Sequence, residues 1–432
     1  MHRLCMAGSL VAVVAMAADP STAPPTFTKD IAPIFQAKCE ECHRKDTAAP
    51  MSLITYQEAR PWAKSIKERV LSRNMPPWHL DKGVGIQHYA NDRSLTDAQI
   101  NTIARWVDAG APQGDPKDMP QAKQWPTDNG WETSKILGEP TFVVKSAEYT
   151  MPAQGQDVWF KPVSALPIDE ERWVRAVEIR PATLAGRKIS HHVRADLIMD
   201  ELPNGRGGND AALMEWAIGK QNDVYREGAG KPLEPGARIR WEMHLHAVGE
   251  EVTTHFELGV WLYPKGVVPA HKTVLTLFPA TNGAIDLPPN QVTMQSHSTV
   301  LKSNARLENF QPHMHLRGKA MLMEATLPDG TTQVLSYVNN FNFNWMNNYI
   351  YADDSAPVLP KGTVIRITSW HDNTSANRFN PDPNQWVGDG DRTIDEMSFA
   401  WVNVTNLSDE EYNQWVATHK PAKSADARTG GR

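Results

Sequence analysis

The sequence predicts a multidomain protein in which a small all-α domain precedes two all-β domains of the sandwich or jelly-roll type. The chain has 432 residues, which at roughly 150 residues per domain favours about three domains. Its first quarter contains helical signals, including a capping box. From about residue 140 onward, short β-branched runs alternate with turn signals, a pattern typical of all-β domains.

The composition limits the classes of function. The chain has 44 Lys and Arg residues against 50 Asp and Glu residues, a net charge of -6, which argues against a basic nucleic-acid-binding protein. No segment approaches the ~18 uninterrupted apolar residues of a spanning helix. We therefore expect no nucleic-acid partner and no membrane span.

The chain begins with the features of a secretory signal peptide over residues 1–18. Arg3 precedes a short apolar run that ends in small residues, and the proline-containing stretch that follows argues against a buried first helix. The predicted localisation is therefore periplasmic or secreted. Removal of this segment takes away Cys5 and leaves Cys39 and Cys42 as the remaining cysteines.

The two remaining cysteines belong to a C-x-x-C-H motif, the attachment signature of c-type haem. Cys39 and Cys42 would bind the haem vinyl groups as thioethers, and His43 would bind the iron. A thioredoxin-like redox pair requires a βαβ context, and a zinc site requires further Cys or His ligands at suitable spacing. Neither pattern surrounds the motif, so the sequence predicts one covalent haem c.

The sixth iron ligand is expected some tens of residues after the motif. Met75 is the favoured candidate, because two prolines follow it and stiffen an extended loop. Met51, His79 and His88 are weaker candidates. Methionine ligation raises the haem potential and is typical of electron transfer.

Helical signals flank these haem-binding motifs. A short helix is predicted over Phe27–Lys38, and a closing helix begins at a capping box formed by Thr96 and Gln99. With the C-x-x-C-H motif and the methionine loop between them, residues 27–113 resemble a small class I cytochrome c domain. Residues 114–135 are rich in Pro, Asp, Lys and Gln, which predicts a linker.

The β region contains an internal repeat. Each half offers a histidine motif, a Leu-Pro-Asn-Gly or Leu-Pro-Asp-Gly turn, a second turn glycine and a strand that ends near a histidine. The spacing from Gly205 to Gly236 is nearly that from Gly330 to Gly362. Chance similarity between two sandwiches is the alternative. The predicted segments are a first β-domain at 136–285, a second β-domain at 286–420 and a disordered tail at 421–432.

The histidines of the β region form two candidate metal-binding sets. His313 and His315 are two positions apart, so a strand would point both side chains to one face. His191 and His192 are adjacent, so joint binding requires a strand end or a bulge, and His244 is their natural third partner. Three histidines suit copper or zinc, whereas two histidines with a thioether suit copper. A lone histidine in a β-protein is more often structural.

Three longer strings surround these motifs, at Gln311–Lys319, Asn377–Asn384 and Gly388–Met397. Together they resemble the copper type II, ascorbate-dependent monooxygenase family, which includes dopamine β-hydroxylase and peptidylglycine α-hydroxylating monooxygenase. The resemblance covers about residues 140–405. It implies two jelly-roll domains, each holding one copper ion, with a solvent-filled cleft between the two ions.

The resemblance implies that the first copper ion is an electron-transfer copper. His191 and His192 correspond to the family's His-His pair, and His244 corresponds to its third histidine. His246, two residues further along the same predicted strand, is the competing third ligand.

The resemblance implies that the second copper ion binds oxygen and is catalytic. Its ligands would be His313, His315 and Met397, the last in an Asp-Glu-Met string typical of the family. His371 is the rival ligand, because it stands in the second repeat nearly where His244 stands in the first.

The sequence departs from the family at the substrate-binding positions. Peptide-hydroxylating members hold a substrate carboxylate with an Arg before the H-x-H motif and with an Asn and a Tyr after the Asp-Glu-Met string. Gln311, Phe399 and Trp401 stand at these places. The resemblance therefore implies a small organic substrate of apolar or aromatic character rather than a glycine-extended peptide.

These motifs together predict a copper-dependent monooxygenase that hydroxylates a C–H bond with O2. Electrons would come from an upstream donor through the chain's own haem domain, so the predicted cofactors are one haem c and two copper ions. Three alternatives stay open: a copper oxidase of other chemistry, a periplasmic copper- and haem-binding electron-transfer protein without hydroxylase activity, and a zinc hydrolase.

Overall fold

A computed structural model of the chain describes residues 23–45, 47, 49–125, 130–198 and 212–419. The predicted signal peptide, the Leu-Pro-Asn-Gly turn of the first repeat and the predicted disordered tail lie outside the described residues. The chain divides into two compact units. The described residues of the first unit are 23–45, 51–72 and 95–124, and those of the second unit are 47, 49–50, 73–94, 125, 130–198 and 212–419.

The first unit is helical. It begins with a π-helical turn at Phe27–Ile31, and short 3-10 turns span Arg60–Trp62 and Pro116–Asp118. The α-helices are α1 (Ala32–Lys38), α2 (Tyr56–Ala59), α3 (Ala63–Leu71) and α4 (Asp97–Asp108). Helix α4 begins at the predicted capping box, in which the Thr96 hydroxyl accepts from the N–H of Gln99 and the Gln99 side chain accepts from the N–H of Thr96.

An aromatic core packs the helices of the first unit together. Phe27, Phe35 and Trp106 are each at most 1% exposed, and their ring centroids lie 6.1 to 6.5 Å apart. The indole N–H of Trp106 donates to the carbonyl of Pro112 at 3.0 Å. The buried indole thus keeps a hydrogen-bond partner, and α4 is fixed against the π-helical turn.

The second unit consists mainly of β-strands. Its helices are α5 (Ser134–Leu137), α6 (Leu184–Ile189) and α7 (Asp409–Thr418). Its strands are β1 (Phe142–Lys145), β2 (Tyr149–Met151), β3 (Val158–Phe160), β4 (Val163–Ala165), β5 (Arg172–Pro181), β6 (Ser190–Ile198), β7 (Ala212–Ala217), β8 (Asn222–Val224), β9 (Ala229–Leu233), β10 (Arg238–Leu245), β11 (Val252–Thr254), β12 (Phe256–Leu262), β13 (His271–Pro279), β14 (Asp286–Leu287), β15 (Val292–Val300), β16 (Asn304–Leu307), β17 (Asn309–Met314), β18 (Gly318–Thr326), β19 (Thr332–Val338), β20 (Tyr349–Ile350), β21 (Val358–Leu359), β22 (Val364–Asp372), β23 (Val387–Gly388) and β24 (Ser398–Leu407). Over the described residues of both units together, 37% are in strands and 17% in helices, which confirms the predicted β-rich fold and is consistent with β-sandwich domains.

The strands form one large sheet and several smaller ones. The large sheet has 11 strands and contains the path β1-β12-β5-β9-β13-β24-β16-β21, with β8, β17 and β20 beside it. A 5-stranded sheet contains β3, β4, β6, β7 and β10, and a 4-stranded sheet has the order β15-β22-β18-β19. Within the described ranges, no helix combines the length and the apolar character needed to cross a membrane.

Strand β13 joins the two predicted β-domains. It lies near the end of the predicted first domain, yet it pairs antiparallel with β24 in a register that begins with Thr273 opposite Thr405. At its start it also pairs in parallel with β9. One buried apolar cluster draws on residues 144–260 and another mainly on residues 278–404, so the two halves share a sheet but have separate cores.

Residues 73–94 pack with the second unit, although the sequence assigned them to the helical domain. Trp78 packs edge-on against Tyr349 with 4.8 Å between the ring centroids. Tyr89 stacks on Tyr351 at 5.2 Å. These contacts place both residues of the segment in the core of the second β half.

The pH dependence of stability tests the burial of His79 in this segment. Its side chain is 3% exposed, and burial lowers its pKa from 6.5 to about 4. The unfolded chain therefore takes up a proton first as the pH falls. Between pH 6.5 and about pH 4, the free energy of unfolding should drop by up to about 3 kcal/mol through this residue. The His79→Gln variant should lose that part of the decline.

Chemical unfolding, followed by tryptophan fluorescence near neutral pH and at about pH 4, measures this difference. His88→Gln is the matched control, because His88 lies exposed in the same segment and pairs with Asp354 at the surface. The prediction would be contradicted if the free energy of unfolding of His79→Gln fell as much between the two pH values as that of the wild type.

Candidate metal centre

A β-bulge brings His191 and His192 to one side of a strand. Strand β6 pairs antiparallel with β10, with His192 opposite His244 and Ser190 opposite Leu245. His191 is therefore the extra residue of the bulged strand, and the register shifts at this point. This is the irregularity that two adjacent histidines need in order to bind one ion.

Three histidines converge at this bulge. The Nδ1 atoms of His191 and His192 lie 3.1 Å apart, and the ring of His244 lies 5.0 Å from each of their rings. One ligand nitrogen of each residue lies within 4.8 Å of the others, close to the spread that one ion with bonds of about 2 Å requires. His246, the competing candidate, is not in this group.

Two residues that sequence reasoning missed hold the ring of His244. The imidazole is fully buried and stacks on Trp159 at 4.2 Å, and its Nε2 lies 3.1 Å from a carboxylate oxygen of Asp157. The Nδ1 of His244 has no hydrogen-bond partner in the described part of the chain. A carboxylate on one ring nitrogen commonly orients the other toward a metal.

The second histidine set lies at the end of β17. His313 stands opposite Phe399 of β24, and the two rings stack at 4.6 Å with 7° between their planes. The ring of His315 lies 5.6 Å from that of His313, and its Nδ1 lies 3.1 Å from the carbonyl oxygen of Asp395. The Nε2 atoms of both rings are buried without a hydrogen-bond partner among the described residues, so both are available to a metal.

Met397 lies just before β24, next to the end of the pairing between β17 and β24. The last pair of that register is Met314 opposite Ser398, so His315 and Met397 are the residues that directly follow and directly precede it. Ligation by the thioether of Met397 stays a prediction. His371, the rival ligand, is buried on β22 with its Nε2 3.7 Å from a carboxylate oxygen of Glu396.

Glu396 holds the turn that follows the H-x-H motif. Its carboxylate accepts hydrogen bonds from the N–H of His315 at 2.9 Å and from the N–H of Arg317 at 2.6 Å. Burial raises the pKa of Glu396 to about 7, because these donors only partly offset its removal from water. Sequence reasoning misses this role, although Glu396 directly precedes Met397.

The two histidine sets are in direct contact. The ring of His192 lies 5.6 Å from that of His313, nearly perpendicular to it. Phe343 stacks on His191 at 4.3 Å and meets the ring of His315 edge-on at 6.0 Å. The resemblance implies a solvent-filled cleft between the two sets, whereas in this structure the ring of Phe343 contacts one histidine of each set.

Burial keeps the imidazoles of His191, His192 and His315 uncharged at neutral pH. It lowers the pKa of His191 and of His192 well below the ordinary value, and the neighbouring histidines add to the effect. Burial, and then the neighbouring His313, lower the pKa of His315 to about 3. A neutral imidazole is the form that binds a metal ion, so these rings are ready to act as ligands at neutral pH.

The C-x-x-C-H motif lies in the first unit directly after α1. The N–H groups of Cys42 and His43 donate to the carbonyl of Cys39 at 3.1 and 2.9 Å, and within the described residues neither cysteine forms a disulfide. The Nδ1 of His43 lies 3.2 Å from the carbonyl oxygen of Met51, which leaves Nε2 for an iron. Met75 belongs to the second unit, and its ligation stays a prediction.

Comparisons with known proteins add little. No protein-family model matches the sequence, and no curated protein matches it. Among solved structures, the chain is similar to the major capsid protein P2 of bacteriophage PM2, with 10% identity over 61% of this chain and 100% of that chain and a TM-score of 0.27.

Two other similarities are of the same kind. A Paenibacillus xanthan lyase shows 10% identity over 61% of this chain, 25% of that chain, and a TM-score of 0.19. The VP2 subviral particle of infectious bursal disease virus shows 11% identity over 67% of this chain, 75% of that chain, and a TM-score of 0.20. At these scores the similarities carry no argument about fold or function.

Substitution of the third histidine tests the first set. His244→Ala should lower the copper affinity of this set more than about 100-fold. Mutation of a residue that only hydrogen-bonds to a metal ligand typically lowers affinity about 10–100-fold, and loss of the ligand itself should cost more. The matched control His246→Ala should change it less than about threefold, since His246 lies outside the converging group. Competition with a chromogenic copper chelator measures both. An equal loss of affinity in the two variants would contradict the assignment of His244 as the third ligand. A larger loss in His246→Ala would assign that role to His246.

Proposed function

We propose that the chain is a copper-dependent monooxygenase that hydroxylates a C–H bond with O2 and receives electrons through its own c-type haem domain. In the overall reaction, a C–H compound and O2, with two electrons and two protons, give an alcohol and water. The observation that carries the proposal is the convergence of five histidines from both β halves at one place.

The residues present fit two copper ions. Buried ring nitrogens without partners among the described residues occur in both sets, and such atoms are costly unless they gain a partner. Three imidazoles suit a first ion, and two imidazoles with a soft thioether suit an ion that passes through Cu(I). Bound copper supplies one-electron storage and O2 activation. The proposed sets are His191, His192 and His244 for the first ion, and His313, His315 and Met397 for the second.

The contribution of the chain is to orient these ligands. The carboxylate of Asp157 holds Nε2 of His244, and the carbonyl of Asp395 holds Nδ1 of His315. In each case an oxygen atom contacts one ring nitrogen, so that the other ring nitrogen would face the ion. Both ligands are buried, so their positions are set before any metal binds.

The surroundings of the second set support an apolar or aromatic substrate. Phe399 stacks on His313, and Trp401 meets Phe399 edge-on at 5.4 Å. Gln311 stands where peptide-hydroxylating relatives have an arginine, and its side-chain amide is engaged by the buried carboxylate of Glu215. These contacts agree with the loss of the carboxylate clamp inferred from the sequence.

The proposed haem domain is the route by which electrons enter. Cys39 and Cys42 would attach the haem, with His43 and Met75 as iron ligands, and bound haem supplies one-electron transfer from an upstream donor. The proposal includes export directed by residues 1–18 and two β halves of the jelly-roll type.

Oxygen uptake tests the proposed chemistry. The copper-loaded chain, given a chemical reductant and a panel of small apolar and aromatic compounds, should consume O2 in step with a hydroxylated product. Met397→Leu should lower this rate at least about tenfold, a barrier increase of about 1.4 kcal/mol. Met294→Leu is the control, because Met294 is 62% exposed and should leave the rate unchanged.

The possible failures separate the alternatives. Copper binding without O2 uptake would favour an electron-transfer protein, and O2 uptake without a hydroxylated product would favour an oxidase. Zinc in place of copper would favour a hydrolase. Unchanged turnover in Met397→Leu would remove Met397 from the oxygen-reacting set.

Absorption spectroscopy tests the proposed haem domain. The chain, expressed with export and haem-attachment machinery, should show c-type Soret and α bands that persist in denaturant, because the haem is covalently bound. Cys39→Ser combined with Cys42→Ser should abolish this covalent haem. Met75→Ala should keep the covalent haem but change the spectral features that report its axial ligands. Met51→Ala should keep the haem and leave those features unchanged. A wild-type chain without these bands would contradict the prediction.

A further inference from the structure

A buried carboxylate of the first β half reaches the second histidine set. Glu215 lies on β7, which pairs with β6, and it is 1% exposed. Its Oε1 lies 3.5 Å from Nδ1 of His313 on β17, and its Oε2 accepts a hydrogen bond from the side-chain amide of Gln311. Glu215 therefore contacts two residues of the strand that leads into the H-x-H motif.

The second oxygen of this carboxylate indicates where a proton lies. A buried carboxylate is costly unless both of its oxygens have partners. Within the described residues, Oε1 of Glu215 has no closer hydrogen-bond partner, and it faces Nδ1 of His313. A proton on that Nδ1 supplies the missing partner. A neutral imidazole carries one ring proton, so Nε2 of His313 is then the nitrogen with a free lone pair.

Other contacts fix the position of the His313 ring, so the remaining question is which of its two nitrogens carries the proton. Phe399 covers one face of the ring at 4.6 Å, and the ring of His192 lies 5.6 Å away, nearly perpendicular to it. Stacking fixes the ring plane but does not distinguish one ring nitrogen from the other. A carboxylate on one side does distinguish them, because it attracts the N–H and repels the lone pair.

We propose that Glu215 is a positioning residue that holds His313 with its proton on Nδ1 and so turns Nε2 toward the ion of the second set. The inference rests on the proposed function, since it assigns an orientation to one of the proposed copper ligands. If Glu215 has this role, the orientation of a ligand of the second set is fixed by a residue of the first half. That residue lies on β7, which pairs with the strand that carries His191 and His192.

The test uses the full chain loaded with copper. Glu215→Gln keeps the shape of the side chain and removes its charge. Chelator competition should show a loss of affinity of about 10–100-fold for one of the two ions. X-ray absorption should identify that ion as the one with a Cu–S contribution from Met397, and the affinity of the other ion should stay within about twofold.

Asp223→Asn is the matched control. Asp223 is also a buried carboxylate of the first half that reaches the second half, where it accepts from the side chain of Asn403 at 2.9 Å. Its ion pair is with Lys220 at 2.9 Å rather than with a histidine. This variant should lower the unfolding temperature but leave both copper affinities within about twofold of the wild type.

A further measurement needs no variant. In the wild-type chain loaded with diamagnetic Cu(I), nitrogen NMR of the His313 ring should report a protonated Nδ1 and a metal-bound Nε2. A metal-bound Nδ1 would overturn the proposal, even if Glu215→Gln proved too unstable to study.

The outcomes distinguish this inference from the proposed function. Unchanged affinity in Glu215→Gln, or an equal loss at both ions, overturns the role of Glu215. A wild-type chain that binds no copper overturns both ideas. A wild-type chain that binds two copper ions but consumes no O2 with any substrate overturns the proposed function alone.

Discussion

The pairing of β13 with β24 is the constraint on which the arrangement of the two histidine sets depends. Strand β13 belongs in sequence to the first half, and β24 belongs to the second and also pairs with the strand that leads to His313 and His315. The buried hydroxyls of Thr273 and Thr405 bond at 2.8 Å within this ladder. Separating the halves would break the ladder, and each buried group left unsatisfied would cost about 1–3 kcal/mol. The two sets therefore share one rigid frame.

That frame contains buried polar atoms that have no hydrogen-bond partner among the described residues. Ring nitrogens of His244, His313 and His315 are buried without partners in the described ranges, and unpaired groups of this kind call for a specific explanation. The proposed metal ions would supply these partners, because one ion can bind several nitrogens at once. Ions in both sets would also reinforce the contact between the halves, since ligands from each lie against one another.

Sequence reasoning succeeded where the cause is local. The capping box at Thr96 depends on residues three positions apart, and the need for a bulge at His191 and His192 follows from strand geometry alone. It failed where the partners come from distant strands: Asp157 meets His244 across 87 positions, and Glu215 meets His313 across two different sheets. No short motif encodes such contacts. The packing of Trp78 against Tyr349 was missed for the same reason, because the aromatic partner lies in the other predicted domain.

The packing of residues 73–94 has a consequence for how this chain is built. The polypeptide leaves the helical unit at residue 72, contributes Trp78 and Tyr89 to the core of the second β half, and returns at residue 95. The helical unit is therefore discontinuous in sequence, and a single cut in the 114–135 segment would not release it. Exchange of this unit for another by recombination would need junctions at both ends of the 73–94 segment in addition to one in the linker. Deletion of residues 23–113 would remove part of a β core along with the helices.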